Sequence, residues 1–247
     1  MSRNYELLTQ LAEQEIATQP AVPIPAPAVA AGLLRVPEET VVGEGDAKLV
    51  QRLFLLAEEG GPRTVVFCGT DESDGSSSVC ARASEILAAR ATESVCLIDA
   101  HLSSPSLHAR YGLENRSGLA DAIFKSGSAR EFARQVPGRS LWLMTTGSSP
   151  QGREAILPPD LVRSRVEELR EHFGYVVISA PPVNLYPDAI LFGQFSDGVV
   201  LVLKANSTRR ATALKVKESF EASNVRLLGA VLNDRTFPIP ESLYRRL

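Results

Sequence analysis

The residues whose types and spacing could do chemistry lie in one stretch, Val65-Val66-Phe67-Cys68-Gly69-Thr70-Asp71-Glu72-Ser73-Asp74-Gly75-Ser76-Ser77-Ser78, where a short apolar run meets Gly, Ser and Asp. A phosphate-binding loop reads G-x-x-x-x-G-K-[S/T] after a strand. Its main-chain N–H groups wrap the phosphates, the lysine reaches their oxygens and the hydroxyl holds Mg²⁺. Gly75 stands at the second glycine of that pattern and Ser77 at the hydroxyl. Ser76 takes the place of the lysine and Thr70 that of the first glycine, while Asp71, Glu72 and Asp74 add carboxylates beside the polyphosphate position. That charge repels a polyphosphate. As a bare pattern the match fails at the lysine, and an ordinary strand–turn–helix connection is the better account of the stretch.

The elements that must position these residues follow from the rest of the chain. Its 247 residues, 44% hydrophobic with a net charge of −3, suit one ordinary soluble domain with small additions. The acidic balance gives no field for nucleic acid, and no apolar run reaches the roughly 18 to 20 residues of a membrane span. The polar start, Met1-Ser2-Arg3-Asn4-Tyr5-Glu6, precedes no signal-type apolar block, so a cytoplasmic location is expected. Cys68, Cys80 and Cys96 form no C-x-x-C pair and read as buried thiols rather than a disulfide framework or zinc site. His101, His108 and His172 lack H-E-x-x-H spacing and read as solvated or capping side chains.

Three segments are expected. Residues 1–17 place Leu7 and Leu11 on one stripe and Leu8, Ala12 and Ile16 on another, with Glu6, Gln10, Glu13 and Gln14 between them, which predicts a short amphipathic helix. Alone it would be marginal, so its stripe needs a partner, either the main domain or another protein. Residues 18–43 turn to Ala and Pro and read as an extended tether. The domain spans residues 44–247, opening with a helix whose face carries Leu49, Leu53 and Leu56 and which ends at Gly60-Gly61-Pro62.

Apolar runs then recur at Thr64–Cys68, Val95–Ile98, Leu141–Met144, Tyr175–Ile178, Val199–Leu203 and Leu227–Leu232, with helical patterns near 78–90, 158–172 and 208–222. Runs apolar at every position are what strands buried on both faces require, and the helices have crossover length. The predicted fold is α/β: a doubly wound, mostly parallel sheet with helices on both faces, and any ligand at the carboxyl ends of the strands. The Gly/Ser/Asp loop sits at that edge.

The second strand leads into Leu97-Ile98-Asp99-Ala100-His101-Leu102-Ser103-Ser104-Pro105-Ser106-Leu107-His108, and Tyr111-Gly112-Leu113-Glu114-Asn115-Arg116-Ser117-Gly118-Leu119-Ala120-Asp121 follows. This text resembles, without a gap, the L-I-D-A-D-L-R-x-P-x-L-H-x-x-F-G-x-x-N-x-x-G-L-x-D of the tyrosine autokinases of bacterial capsule and exopolysaccharide synthesis (BY-kinases), a branch of the MinD/ParA-like P-loop NTPases. Leu143-Met144-Thr145-Thr146-Gly147, Phe173-Gly174-Tyr175-Val176-Val177-Ile178-Ser179-Ala180-Pro181-Pro182-Val183, Asp188-Ala189, Asp197-Gly198-Val199 and Gly229-Ala230-Val231-Leu232-Asn233 continue the likeness over roughly residues 44–247.

The resemblance implies ATP with Mg²⁺ at the loop, met by Asp74, Gly75, Ser76, Ser77, Ser78, Asp99 and Asn233, with Ser77 and Asp99 toward the metal. It also shows what has changed: Ser76 replaces the loop lysine, His101 the second acid after the second strand, and Ser179 the Walker-B aspartate. At the roughly 3 kcal/mol of one lost oxyanion donor, three such losses approach about 9 kcal/mol, or about 10⁶ in rate. The kinases' E-x-x-R-x-x-R helix is out of register here, with Glu44, Lys48, Gln51 and Arg52, and their tyrosine cluster is reduced to Tyr244, the remaining candidate phosphosite. Arg209, Arg210, Lys215 and Lys217 are either an anion or acidic-partner surface or a solvated helix face. Three functions stay open: a non-catalytic regulator or scaffold of exopolysaccharide assembly and export; a working autokinase or ATPase using Ser76–Ser78 and a cation such as Arg235 or Lys204; and a nucleotide switch without hydrolysis. The implied partners are an integral-membrane chain-length or export protein, at the inner membrane, and further copies of the chain, with no nucleic acid.

Overall fold

The computed structural model describes residues 44–56, 61–147 and 156–235, all within a unit that begins at Glu39. The expected helix of residues 1–17, the tether of 18–43 and Tyr244 lie outside the described residues.

Seven strands form one sheet: β1 (Thr64–Gly69), β2 (Val95–Asp99), β3 (Arg134–Gln135), β4 (Leu141–Met144), β5 (Tyr175–Ser179), β6 (Gly198–Lys204) and β7 (Leu227–Asn233). Their order is β3-β4-β2-β5-β1-β6-β7. Every neighbouring pair is parallel except β3 with β4. The six apolar runs all form strands. The short antiparallel β3 escapes the sequence because its two residues are exposed and carry no apolar signal. The helices are α1 (Glu44–Val50), α2 (Ser76–Arg90), α3 (Leu107–Tyr111), α4 (Leu119–Phe124), α5 (Pro159–His172), α6 (Asp188–Gln194) and α7 (Arg210–Ala222). No described helix is long and apolar enough to cross a membrane.

Side chains alternate across the pleat, so each strand feeds two cores. Val66, Cys68, Ile98, Val176, Ile178 and Leu201 face one side with Val162, Val166 and Leu169 of α5, Phe192 of α6 and Phe220 of α7. Val65, Phe67, Leu97, Leu143, Val177 and Val202 face the other with Val79, Ala83 and Leu87 of α2 and Val50. All three cysteines are buried and unpaired. Burial pushes the Cys68 thiol up to about 12, so it does not act as a thiolate.

The first helix departs from expectation. After Val50 the backbone widens into a π turn over Gln51–Leu55, closed by Leu56 N–H donating to the Gln51 carbonyl at 2.8 Å. The wider turn rotates Leu56 off the apolar face to 64% exposure. Val50 and Phe54 are buried instead, with Leu49 and Leu53 packed only partly, and the Phe54 ring meets Tyr175 edge-on at 5.7 Å. Lys48 pairs with Glu44 at 2.6 Å along this helix.

The strand order reverses beside β1: the chain runs outward through β2 and β4, returns to β5, then crosses to β6 and β7. A crevice opens at the carboxyl ends of strands at such a point. Its far wall is held by Asn115, Gly118 and Asp121. Asn115 accepts from Gly147 N–H at 2.9 Å and bonds the Thr146 hydroxyl. Asp121 accepts from Gly118 N–H at 3.1 Å, while Leu119 N–H and Ala120 N–H donate to the Thr145 and Thr146 carbonyls. A Cβ on Gly118 would lie 2.0 Å from the Thr145 carbonyl oxygen, a backbone atom that cannot swing aside. Gly118→Ala is therefore expected to cost about 3 kcal/mol or more, read as a fall in the urea midpoint; a loss under about 1 kcal/mol would show that α4 and β4 are not locked at this joint.

Candidate functional site

β1 ends at Gly69 and the chain turns at once into the Gly/Ser/Asp loop. Asp71 caps a single 3-10 turn over Glu72–Asp74: its carboxylate accepts from Ser73 N–H at 3.2 Å and its carbonyl from Asp74 N–H at 3.2 Å. Two N–H groups that could wrap a phosphate are thus turned onto Asp71. Gly75 follows with φ +72°, in the left-handed region. α2 begins at Ser76 with no side-chain cap. Ser78 N–H and Val79 N–H bond the Gly75 carbonyl at 3.1 Å, and no acceptor among the described residues meets the N–H groups of Gly75, Ser76 and Ser77.

Asp74 lies buried under the loop rather than out toward a ligand. One carboxylate oxygen accepts from Thr70 N–H at 2.7 Å, the Thr70 hydroxyl at 2.7 Å and Asp71 N–H at 2.9 Å. The other accepts from Lys204 N–H at 3.1 Å and the Thr208 hydroxyl at 2.9 Å. Burial alone would push this carboxyl up; the hydroxyls of Thr70 and Thr208 and the two loop amides outweigh it and hold the group below the usual carboxylate range.

Strand register brings the remaining candidates together. Ser179 pairs with Phe67 of β1 on one side and Asp99 of β2 on the other. Its hydroxyl donates to that of Ser77 at 3.1 Å. Ser76 is buried, Ser77 half-buried and Ser78 exposed. Asp99 is fully buried and accepts three backbone N–H bonds, from His101 at 3.3 Å on one oxygen and from Ser106 at 3.0 Å and Leu107 at 2.9 Å on the other. Burial still pushes its carboxyl up against those bonds. The His101 ring is 5% exposed, packs against Tyr186 at 5.7 Å and holds its Nε2 3.4 Å from a Glu72 carboxylate oxygen, out of hydrogen-bond geometry. Asp188, at the start of α6, is pushed up by burial and drawn partly back by the nearby His101 charge.

Mg²⁺ does not fit this set. It wants hard oxygens in octahedral array, usually carboxylates with waters. The structure offers the Ser77 and Ser179 hydroxyls, an imidazole, and an Asp99 whose oxygens are both occupied by main-chain amides. Among the described residues no cluster of three or more His, Cys, Asp or Glu could hold a metal.

Asn233, at the end of β7, donates from Nδ2 to the Asp74 carbonyl at 3.0 Å and touches Gly75, where a Cβ would lie 2.6 Å from that nitrogen. Lys204 Nζ is 3.7 Å from an Asp234 oxygen. Arg235, Arg209 and Arg210 are exposed, and on α7 Lys217 pairs with Glu221 at 2.5 Å. Sequence reasoning missed the loop's anchors, Thr208 and the Lys204 main chain, which lie more than a hundred residues from Asp74 and carry no local signal. It also missed Tyr186, and named Asp188 only as part of the family text without placing it beside His101.

No protein-family model matches the chain. The tyrosine-protein kinase YwqD of Bacillus subtilis is 27% identical over 173 residues, 70% of this chain and 73% of YwqD. The tyrosine-protein kinase CpsD of Streptococcus agalactiae is 28% identical over 116 residues, 47% of this chain and 51% of CpsD. Among solved structures the chimerical protein CapA2B2 superposes with a TM-score of 0.70 at 24% identity, over 81% of this chain and 88% of that one. The MinD protein of Pyrococcus horikoshii, solved with Mg-ADP, gives a TM-score of 0.60 at 16% identity, over 74% of this chain and 76% of MinD. Sheet order, loop position and these sequence relatives agree: the chain is similar in sequence to the BY-kinases, the bacterial tyrosine kinases of capsule and exopolysaccharide synthesis, and has the fold of MinD.

Proposed function

We propose that this protein is non-catalytic and serves as a regulator or scaffold of exopolysaccharide assembly and export at the cytoplasmic face of the membrane. One observation carries the reading. Where phosphoryl transfer needs a lysine and metal-holding carboxylates, the crevice holds Ser76, Ser179 and His101, and the buried Asp99 beside them is occupied as a backbone cap. Phosphoryl transfer is almost wholly positioning and electrostatic stabilisation, so the missing charges are the missing catalysis. The loop is also held by its own carboxylates: that of Asp71 engages the Ser73 amide and that of Asp74 ties the loop to β6.

A protein that has lost the chemistry while keeping this fold acts through its surface. The family resemblance supports an integral-membrane chain-length partner, and a chimera named for both a CapA and a CapB part is among the structures it superposes on. Glu44, Lys48, Gln51 and Arg52, on α1 and the turn after it, do not repeat the register of the kinases' assembly helix.

The purified protein, given ATP and Mg²⁺, is expected neither to release phosphate nor to gain phosphate on Tyr244 above background; mass spectrometry finding ATP-dependent phosphate there would sink the reading. Restoring Ser76→Lys together with Ser179→Asp is expected to raise Mg-ATP affinity by more than the product of the single effects, because the lysine acts on phosphates and the acid on the metal in one network. Calorimetry showing strictly multiplicative effects would mean that the loop no longer has phosphate-cradle geometry.

Asp74 gives a pH test of the loop's internal tie. Its folded-state carboxyl lies below the usual range, so it contributes stability that is present above the unfolded value of about 4 and lost as pH falls through the folded value. Melting temperatures followed from pH 7 down to pH 3 should therefore fall more steeply in the native protein than in Asp74→Asn. Parallel curves would show that the carboxylate's charge does not hold the loop.

A further inference from the structure

At the other end of the sheet from the Gly/Ser/Asp loop, roughly 17 Å away along β1, lies a cavity of about 1020 Å³. It is lined by residues at the starts of β1 and β5, ahead of β6 and β7, and at the end of α5. That is the size of a ligand site, but the lining is not the apolar wall usual in one. Arg63, Arg170 and Arg226 stand with Glu93, Glu171 and Asp197, three charges of each sign, so the cavity carries no net field for an ion. Four of them are engaged with one another: Arg63 pairs with Glu93, and Arg170 reaches from α5 to Asp197 at 2.5 Å. Arg226 and Glu171 are exposed, and no described residue pairs with either. A second, independent feature lies in the same wall. Thr64, the first residue of β1, is fully buried there, and its hydroxyl has no hydrogen-bond partner among the described residues. Its main chain is already engaged, the N–H donating to the Asp197 carboxylate and the carbonyl accepting from Asp197 N–H, each at 2.8 Å. A buried hydroxyl left unpaired is costly.

We propose that this cavity binds a neutral saccharide, held by Arg226, Glu171, the Arg170–Asp197 pair and the Thr64 hydroxyl. The mixed lining selects the ligand. An anion would meet three carboxylates there and a cation three guanidiniums, and an apolar molecule would leave all six charges without hydrogen bonds. A sugar hydroxyl donates and accepts at once, so a polyhydroxy ligand bonds the guanidiniums through its oxygens and the carboxylates through its O–H groups. Arg226 and Glu171 are open to the first contacts. Arg170 and Asp197 have side chains 40% and 28% exposed, so their mutual contact contributes little and ligand hydroxyls can take its place. A ligand oxygen at the inner end then pairs the Thr64 hydroxyl. The site is separate from the crevice, and the inference stands whether or not the crevice has lost its chemistry.

The test is a titration of the full chain, followed by amide chemical shifts, with glucose, galactose, mannose, cellobiose and lactose, and separately with glucuronate and inorganic phosphate, each at low and at high NaCl. At least one neutral sugar is expected to shift the amides of Thr64, Gly174 and Arg226, with an affinity equal within about twofold in the two salts. Arg226→Ala should weaken that binding about fivefold, which is what one hydrogen bond contributes, while Arg226→Lys, which keeps a charged donor, recovers part of the loss. Thr64→Val should weaken it by a similar factor without lowering the melting temperature, because the hydroxyl has no partner to lose. Should Thr64→Val fail to fold, the exposed Arg226→Ala decides alone. No shift with any neutral sugar, tighter binding of glucuronate or phosphate than of every neutral sugar, binding lost at high salt, or an Arg226→Ala variant that binds as well as the native protein would overturn the proposal. Phosphate released from ATP in the same samples would strike the non-catalytic reading and leave this one standing, so the two failures are told apart.

Discussion

The buried Asp74 carboxylate is the contact on which the crevice depends. It gathers five donors from three places: Thr70 and Asp71 at the end of β1, the Lys204 main chain at the end of β6, and the Thr208 hydroxyl ahead of α7. A carboxylate can be buried when its lone pairs are filled this completely. The loop is then fixed at both strands that flank the crevice, and Gly75 is left to turn the chain, in the left-handed region, into α2. Asn233 reinforces the same corner by bonding the Asp74 carbonyl. The start of α2, with its open N–H groups, is placed by this tie.

That arrangement gives the acidic loop two kinds of carboxylate. Asp71 and Asp74 are structural, each spent on backbone N–H groups of the loop itself. Glu72 is spare, with its side chain half exposed and directed at His101. The three acids look alike in the sequence, and read together they suggest a surface that repels phosphate. In the fold Glu72 and Asp71 are exposed to an approaching anion, whereas Asp74 keeps its charge but lies buried under the loop with its oxygens filled by donors.

Much of the fold was legible because the physics behind it is local and repeated. Strands buried on both faces must be apolar at every position, and Val65–Cys68, Val95–Ile98 and Val199–Leu203 are. What was not legible depends on distant or one-residue effects. The π turn after Val50 shifts the apolar face by a single residue and strands Leu56 in solvent, a change no periodicity count detects. β3 is two exposed residues paired to β4 only because the sheet is already there. At the site, the replaced positions Ser76, His101 and Ser179 could be named from the resemblance, but the role of Asp74 could not: its partners Lys204 and Thr208 are brought in by the β1–β6 pairing.

Asp99 shows why keeping a residue is a weaker sign of function than it looks. In sequence it reads as a surviving metal ligand, the one acid left of a charged set. In the fold its two oxygens collect the N–H groups of His101, Ser106 and Leu107, which turn the chain out of β2 and start α3. Removing it would leave three main-chain donors unpaired at the edge of the central sheet, those of His101 and Leu107 buried, a cost independent of any metal or nucleotide. The same holds for Asn115, Gly118 and Asp121, which make the joint between β4 and α4. The passages that carry the family likeness most clearly are thus ones the architecture itself needs.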